Sequence, residues 1–218
     1  MNKTLLLSLV FALTILPVCA ALTFAEQLKP IQLPQPQVDR GRPLMQVLKD
    51  RSSSRSCRAE KLPVQVLSNL LWAAFGVNRA DTGNRTAPSA MNSQEIDIYV
   101  ATADGLYLYY AKSHELKPVL PDDIRGLTGR QEFVKDAPVN LIYVADFSKM
   151  GTSAKEEKNL YSAADTGFIG QNVYLYCASE GLATVVRGSI DRQTLAKVMR
   201  LRPDQKVILA QSVGYLKK

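Results

Sequence analysis

Histidine, on which many active sites depend, is almost absent from this sequence, and cysteine is scarce. His114 is its only histidine, so neither a histidine-based catalytic triad nor a histidine-rich metal site can be assembled. The sequence has no GxGxxG dinucleotide fingerprint and no GxxxxGK(S/T) phosphate loop, and Ser89 does not stand in a GxSxG nucleophile elbow. If the chain is an enzyme, these absences favour a bound cofactor that carries the hard chemistry.

Long runs of charge of one sign are also missing. The chain has 27 Lys and Arg against 20 Asp and Glu, a net charge of +7, but the basic residues are dispersed rather than aligned along one element. A dispersed positive charge favours anionic ligands and acidic partners, and does not by itself predict nucleic-acid binding.

Residues 1–25 are predicted to be a secretory signal peptide. Lys3 precedes an almost wholly apolar stretch, residues 5–16, which is shorter than the about 20 residues needed to span a bilayer. Small residues permit cleavage after Ala20 or Ala25, and a lipoprotein signal ending at Cys19 is the alternative. The sequence therefore predicts a secreted protein, most simply a periplasmic one.

Only two cysteines, Cys57 and Cys177, remain after the predicted cleavage. They could pair in an oxidising compartment, but a single possible pairing shows no disulfide framework. We therefore expect two separate buried thiols.

Residues 26–43 contain four prolines, which predicts an extended arm rather than a helix or a central strand. The arm could lie across the domain or across a partner subunit, and a flexible linker is the alternative. Residues 44–218 then form one domain, long enough to bury a core.

The apolar periodicity of residues 44–218 predicts an α+β fold without internal repeats. A short run before residue 51 is amphipathic, and a helix of 26 residues is expected before the stop at Gly181. The predicted helices are residues 63–76, 155–180 and 192–199; the predicted strands are 96–100, 106–111, 139–145, 184–186 and 206–213, with turns at 104–105 and 118–121.

The stretch RSSSRSC, residues 51–57, is the first candidate for function. Arg51 and Arg55 flank three serine hydroxyls, and no carboxylate lies between them. Guanidinium groups and short hydroxyl donors suit phosphate oxygens, so the stretch predicts an anion site. The alternative is a solvated basic loop, which is the commoner role of such a stretch.

Four stretches in the same order resemble motifs of the FMN-dependent nitroreductase family. RSSSRSC resembles its RRSxRxF signature and PSAMNSQ, residues 88–94, its PSxxNSQ loop. GFIGQNVYLYCASEGLATVVRG resembles its central helix and the following turn, and ILAQSVGYLK its closing strand. LLWAAFG and RTAPSA also resemble the SagB-type dehydrogenase branch, although Met91 to Gln94 replace that branch's tyrosine-proline pattern.

The resemblance implies a nitroreductase-like α+β fold, with a central mixed, mainly antiparallel sheet flanked by helices and a long buried central helix. It also implies a homodimer with FMN at the interface. The residues that would bind FMN by motif position are, for the phosphate and ribityl end, Arg51, Ser52, Ser53 and Arg55; for the ring, Pro88, Ser89, Ala90 and Asn92; and, through backbone amides near the reactive nitrogen, Val186, Arg187 and Gly188. For Asn92, a turn residue with local bonds is the alternative.

The family mechanism implied is ping-pong, in which a donor reduces FMN and a small organic acceptor, a nitroaromatic, quinone or enone, is reduced in turn. No side-chain acid or base is obligatory, and Tyr161 and Arg187 could line the acceptor pocket.

In the periplasm we expect an electron donor other than NAD(P)H. At the chain end, Lys217 is expected to add charge to the phosphate site, with a solvated tail as the alternative. A non-catalytic secreted flavin- or anion-binding protein is the second functional class.

Overall fold

An eight-stranded sheet forms the centre of the fold, and the structure, a computed structural model, describes residues 28–217. The predicted signal peptide lies outside the described residues. The helices are α1 (Leu44–Asp50), α2 (Val64–Phe75), α3 (Lys155–Glu180) and α4 (Arg192–Val198). The strands are β1 (Ile31–Gln32), β2 (Cys57–Arg58), β3 (Val77–Arg79), β4 (Asn84–Arg85), β5 (Ile96–Thr102), β6 (Gly105–Tyr110), β7 (Glu115–Leu120), β8 (Val139–Asp146), β9 (Leu182–Arg187) and β10 (Gln205–Leu216).

The strand order is β1-β7-β6-β5-β8-β10-β2, with β9 paired to β10, while β3 and β4 form a separate pair. Every pairing among the described strands is antiparallel. The predicted α+β fold with a sheet flanked by helices is therefore confirmed, and its sheet is antiparallel throughout. Strand β10 pairs with β8, β9 and β2, and so brings the end of the RSSSRSC stretch close to β9.

Strand β8 is the middle of the core, because all eight of its residues are buried. Successive side chains of a strand point to opposite faces. Leu141 and Tyr143 accordingly join the cluster that contains residues of α2 and α3, whereas Ile142 and Val144 join the cluster beneath α4. The continuous apolar run at 139–145 predicted this central strand, and the prediction is confirmed.

Helix α3 has the bounds that the sequence predicted, and it ends at Gly181, whose φ of 68° is the left-handed conformation that favours glycine. One side of the helix packs on the sheet and is buried. The opposite side stays exposed in a single chain and carries large apolar side chains at Leu160, Tyr161 and Phe168. A Cβ at Gly167 would meet no atom within 4 Å, so this side of the helix is open.

Strand β7 was not predicted, since Pro118 and Pro121 indicated a turn. Pro118 instead lies within β7 opposite Tyr107, next to an irregularity in the β6 register. Proline lacks the N–H that a central strand must donate, and is tolerated where one side of the strand is unpaired. Strand β1 pairs only with the start of β7, at Leu116 and Glu115, which leaves Pro118 beyond that pairing.

The proline-rich arm packs against the domain of its own chain. Ile31 pairs with Leu116, and Leu33 is buried in the core. The buried Ser68 hydroxyl of α2 donates to the Pro34 carbonyl at 2.6 Å and lies 2.7 Å from Nε2 of His114. Within residues 28–217, no helix is long and apolar enough to cross a membrane.

Removal of the Ser68 hydroxyl tests how the arm is held. Ser68→Ala should lower the free energy of unfolding by about 1–3 kcal/mol, because the Pro34 carbonyl and the His114 ring would lose their buried partner. The control is Ser113→Ala, which removes an exposed hydroxyl bonded to Glu115 and should change the free energy by less than about 0.5 kcal/mol. Urea unfolding measures both, and equal effects of the two variants would contradict this role of Ser68.

Candidate functional site

The RSSSRSC stretch runs from the end of α1 into β2 along the edge of β9. The Arg51 N–H donates to the Val47 carbonyl at 2.8 Å and closes the last turn of α1. The Ser54 N–H donates to the Thr184 carbonyl at 2.9 Å, which fixes the stretch against β9. The neighbouring carboxylate of Asp50 pairs with Arg42. The positive charge of Arg51 is therefore left available to a ligand.

Tyr174 of α3 joins the stretch to β9. Its hydroxyl lies 2.9 Å from Oγ of Ser53 and accepts the Val186 N–H at 2.9 Å. The Arg51 guanidinium lies 5.3 Å from the centre of the Tyr174 ring, within the range of a cation–π contact. One side chain of the central helix thus contacts three of the predicted site residues.

A pocket of about 200 Å³ opens beside these residues. Its lining includes Ser52, Ser54, Tyr174 and Thr184. Lys217 reaches the same region, because its N–H points to the Ser56 carbonyl at 3.4 Å, next to the pairing of Leu216 with Cys57. The structure thus brings together Arg51, Ser52 and Ser53 with the end of β10, whereas Arg55 is exposed and is not among the residues that line the pocket. The binding role of all four residues stays a prediction.

The PSAMNSQ loop is held in an unusual backbone conformation. Met91, Asn92 and Gln94 have φ values of 54°, 53° and 47°, which non-glycine residues seldom adopt. The Ser89 hydroxyl accepts a hydrogen bond from the backbone N–H of Gln94 at 2.9 Å. The side-chain amide of Gln94 donates to Oδ1 of Asn92 at 3.1 Å. Strained backbone of this kind persists where neighbouring contacts over-determine it, and such places are frequently functional.

Two buried carboxyl groups, Asp165 and Glu95, contact this loop. Asp165 of α3 accepts the Ala90 N–H at 2.9 Å, and Oε2 of Glu95 lies 3.0 Å from the Ser93 hydroxyl. Glu95 is 0% exposed and Asp165 is 3% exposed. Burial raises the pKa of Glu95, and the nearby Asp165 carboxylate raises it further. A protonated Glu95 can donate to Asp165, which keeps Asp165 available for the Ala90 N–H.

Within one chain the two motifs lie on opposite sides of α3. Asp165 contacts the PSAMNSQ loop and Tyr174 contacts the RSSSRSC stretch. Nine residues correspond to about two and a half helical turns, or about 13.5 Å along the axis. The two side chains therefore point in nearly opposite directions, and the described residues of one chain do not close a single site around both motifs.

The end of β9 corrects two parts of the sequence-based interpretation. The Arg187 side chain was expected near the acceptor pocket, but it is 3% exposed and donates to the Thr128 carbonyl at 2.6 Å and to Oδ1 of Asn140 at 2.8 Å. Burial lowers the pKa of Arg187 to about 10. This side chain belongs to the core, and it could contact a flavin only through its backbone.

The Val186 N–H was expected to face the flavin, but it donates to Tyr174. Backbone groups of alternate residues point to the same side of an antiparallel strand. Arg187, which pairs with Ala210, therefore directs its N–H towards β10. Of the three predicted positions, Gly188 is the one that follows the strand and is exposed. Gly188 is therefore the position of the three that best fits the predicted contact of a backbone amide with the ring, and that contact stays a prediction.

The remaining predicted residues have the following positions. Pro88 and Asn92 are exposed on the loop, and Arg55 is exposed on the RSSSRSC stretch. Tyr161 lies 38% exposed on the open side of α3, away from the Arg187 side chain. Cys57 and Cys177 are free thiols as expected, but only Cys177 is buried, whereas Cys57 is half-buried. Among residues 28–217, no cluster of three or more metal-ligating side chains occurs.

The sequence profile of the nitroreductase family matches residues 48–215, which is more than half of the chain. The chain belongs to the nitroreductase family. It is an oxidoreductase of that family, and the matched residues include both motifs described above. The recognition made from the four motifs is therefore confirmed.

Relatives agree with this assignment. A protein from Ralstonia eutropha JMP134, described as a nitroreductase, has a crystal structure that matches this fold with a TM-score of 0.83 and 43% sequence identity. The match covers 87% of this chain and 90% of the Ralstonia chain. A protein of Methanocaldococcus jannaschii, also described as a nitroreductase, is 29% identical over 169 residues, which span 73% of this chain and 85% of the relative.

A more distant structure shares the fold. The NADPH:FMN oxidoreductase from Vibrio harveyi, complexed with NAD+, has a TM-score of 0.61 at 17% identity. The match covers 80% of this chain and 69% of the Vibrio harveyi chain. At this identity the likeness shows the fold alone.

Three residues of the site were missed in the sequence. Asp165 and Glu95 support the PSAMNSQ loop, and Tyr174 contacts the RSSSRSC stretch. The signal that could have found Asp165 is a carboxylate in the middle of a helix whose neighbours are apolar, because such a group needs a buried partner. Nothing in the sequence indicated that Glu95 would be that partner.

The buried carboxyl pair predicts a specific dependence of stability on pH. The folded state holds the Glu95 proton after the unfolded chain has lost it, since its pKa is raised above the usual 4.5. Its contribution to stability is therefore complete below about pH 4.5 and is lost as the pH rises through the raised pKa. Glu95→Gln, neutral at every pH, should gain stability relative to the wild type as the pH rises.

The measurement is urea unfolding of both proteins between about pH 4 and pH 8. Glu132→Gln is the control, because Glu132 is exposed and its removal should leave the pH dependence of the wild type unchanged. A Glu95→Gln variant whose stability stays parallel to that of the wild type would show that Glu95 ionises alike in the folded and unfolded chains.

Proposed function

We propose that the protein is an FMN-dependent oxidoreductase that passes hydride or electrons from a reduced donor to a small organic acceptor, such as a nitroaromatic, a quinone or an enone. The observation that supports it most strongly is the grouping of Arg51, Ser52 and Ser53 beside β9, with Lys217 next to them. This grouping offers charge and hydroxyl donors for a phosphate.

The donor set fits the phosphate end of FMN. Arg51 pairs with no carboxylate among residues 28–217, because Asp50 is taken by Arg42. A guanidinium matches two phosphate oxygens at once, and a serine hydroxyl adds a short donor. The Lys217 ammonium would add a point charge from the end of β10. Arg51 and Lys217 are the charged members of this set, and the Asp50 carboxylate that also lines the pocket is paired with Arg42.

The PSAMNSQ loop fits the ring end of the same cofactor. Its backbone is fixed by Asp165 and by the Ser89 hydroxyl, and the Asn92 side chain is exposed. An amide side chain can donate to or accept from a polar ring edge. It adds no nucleophile or acid that would compete with chemistry at the cofactor.

We propose a homodimer that completes the site. The two motifs lie on opposite sides of α3 in one chain, so the PSAMNSQ loop of a second copy would face the RSSSRSC stretch of the first. The exposed side of α3, with Leu160 and Phe168, supplies the apolar surface for that contact. Exposed apolar patches of this kind are typical of interfaces, and a two-fold dimer buries the same patch twice.

FMN, when bound, would accept reducing equivalents from the donor and deliver them to the acceptor, so that donor and acceptor use one site in turn. The residues of the chain have the role of placing it. Arg51 and Ser53 would fix the phosphate end, and the backbone at Gly188 would offer a donor to the ring. The exposed Tyr161 remains a candidate for contact with the acceptor.

We also propose that the mature enzyme acts outside the cytoplasm, after cleavage behind Ala20 or Ala25. In that compartment the donor would be a quinol or a redox protein rather than NAD(P)H. This proposal depends on the basic and apolar pattern of residues 1–25. Cell fractionation tests it, since an uncleaved cytoplasmic protein would contradict it.

The first test of the function is FMN binding. The purified wild type should bind about one FMN per chain, and Arg51→Ala should bind it roughly 10- to 100-fold more weakly, because a charged hydrogen bond contributes about 1.5–3 kcal/mol. Lys197→Ala is the control for loss of one positive charge, since Lys197 is exposed on α4. Quenching of flavin fluorescence measures all three. A wild type that binds no FMN would contradict the proposed cofactor and leave only an anion-binding role.

The second test is assembly. Phe168→Asp should convert the dimer into a monomer and weaken FMN binding in parallel, because a charge would be buried at the apolar contact. Phe168 is 49% exposed in one chain, and the control Leu127→Asp replaces a residue that is 43% exposed but lies outside α3. Light scattering at micromolar concentration decides between the outcomes. A monomeric wild type with FMN bound would exclude the shared site.

A further inference from the structure

We propose that Tyr174 is a positioning residue that prepares Ser53 and Arg51 to receive the phosphate of the flavin. This inference rests on the proposed FMN site, and it concerns a residue of the central helix to which the family resemblance assigns no role. Three contacts carry it: the hydroxyl with Ser53, the hydroxyl with the Val186 N–H, and the ring with Arg51.

The backbone fixes the direction of the hydrogen bond between Val186 and Tyr174. The Val186 N–H can only donate, so the Tyr174 oxygen accepts from it at 2.9 Å. The hydroxyl hydrogen of Tyr174 then remains for Ser53, whose oxygen lies 2.9 Å away. Either hydroxyl could donate in this contact; in the proposed arrangement Tyr174 donates, so that Ser53 accepts and its own hydroxyl hydrogen points outward. The chain from Val186 through Tyr174 makes Ser53 a donor in advance of any ligand.

Such an arrangement favours an anion. Donors that follow one another in a chain polarise each other, which strengthens the last donor. An anionic phosphate only accepts hydrogen bonds, so a serine already oriented as a donor avoids the cost of reorientation on binding. The backbone N–H of the next residue, Ser54, donates to the Thr184 carbonyl. This hydrogen bond fixes the backbone next to Ser53, whose side chain would bind the phosphate.

The ring of Tyr174 acts on the second phosphate ligand. The Arg51 guanidinium lies over the ring at 5.3 Å. A long arginine side chain normally loses rotamer freedom when it binds, and a contact that already restricts it lowers that loss. Tyr174 therefore orients two hydrogen-bond donors before a ligand binds. Its hydroxyl orients Ser53, and its ring orients Arg51.

The neighbouring Tyr176 provides a matched control. It lies two residues further along the same helix, and its hydroxyl donates to the Val66 carbonyl at 3.2 Å, away from the RSSSRSC stretch. Tyr174→Phe and Tyr176→Phe each remove one partly buried phenol hydroxyl and keep the ring. A loss of FMN affinity in the first variant alone separates positioning from a general effect on helix packing.

The experiment is a fluorescence titration of the purified protein with FMN and with riboflavin, which lacks the phosphate. Tyr174→Phe should bind FMN roughly fivefold to tenfold more weakly, the effect of one hydrogen bond, and should bind riboflavin like the wild type. Tyr176→Phe should match the wild type with both. In the Ser53→Ala background, Tyr174→Phe should have no further effect, because the donor that it prepares is gone.

Each other result overturns the inference. Equal losses for FMN and riboflavin would place the effect of Tyr174 away from the phosphate, and an undiminished loss in the Ser53→Ala background would exclude the proposed chain. If the wild type binds neither flavin, the proposed function fails instead, so the two failures are distinguishable. Thermal unfolding of each variant shows that the compared proteins are folded.

Discussion

The packing of α3 on the antiparallel sheet is the constraint on which the rest of the structure depends. The buried side of the helix contacts β9 and β10, and Gly170 allows that approach because a Cβ there would lie 3.3 Å from Cγ2 of Val186. With the helix fixed, its two borders are fixed as well. Asp165 on one border holds the PSAMNSQ loop, and Tyr174 on the other holds the RSSSRSC stretch. The third side carries the exposed apolar residues Leu160 and Phe168, and the proposed homodimer would cover it.

This geometry gives the candidate site its chemical character. The described side chains around it offer positive charge and hydrogen bonds, and none of them is a free histidine or an activated nucleophile. His114 is bound to Ser68 and Tyr109 beneath the arm, where burial lowers its pKa. A site of this kind positions a cofactor and leaves the redox chemistry to it. The strained PSAMNSQ loop and the buried pair of Glu95 and Asp165 lower the stability of the fold, and they fix the conformation of this loop.

Patterns within single elements were predictable from the sequence, whereas contacts between elements were not. The apolar run of β8 and the length of α3 up to Gly181 follow from local periodicity and a helix stop, and both are confirmed. The position of Pro118 within β7 depended on how little β1 pairs with that strand. Likewise, the inward direction of Arg187 and the use of the Val186 N–H depend on the register of β9 against β10 and on Tyr174. Register and side-chain direction across a sheet are set by tertiary pairing.

The central claim is that this chain uses a bound flavin to pass reducing equivalents to an organic acceptor, and anaerobic single-turnover kinetics test it most directly. The FMN-loaded protein is reduced chemically, freed of excess reductant, and mixed with a quinone such as menadione while the flavin absorbance is followed. The account predicts that the absorbance of oxidised flavin returns faster than for the same concentration of free reduced FMN, with one quinone reduced per flavin. Reoxidation no faster than that of free flavin would contradict it, and would leave a protein that binds a flavin without using it.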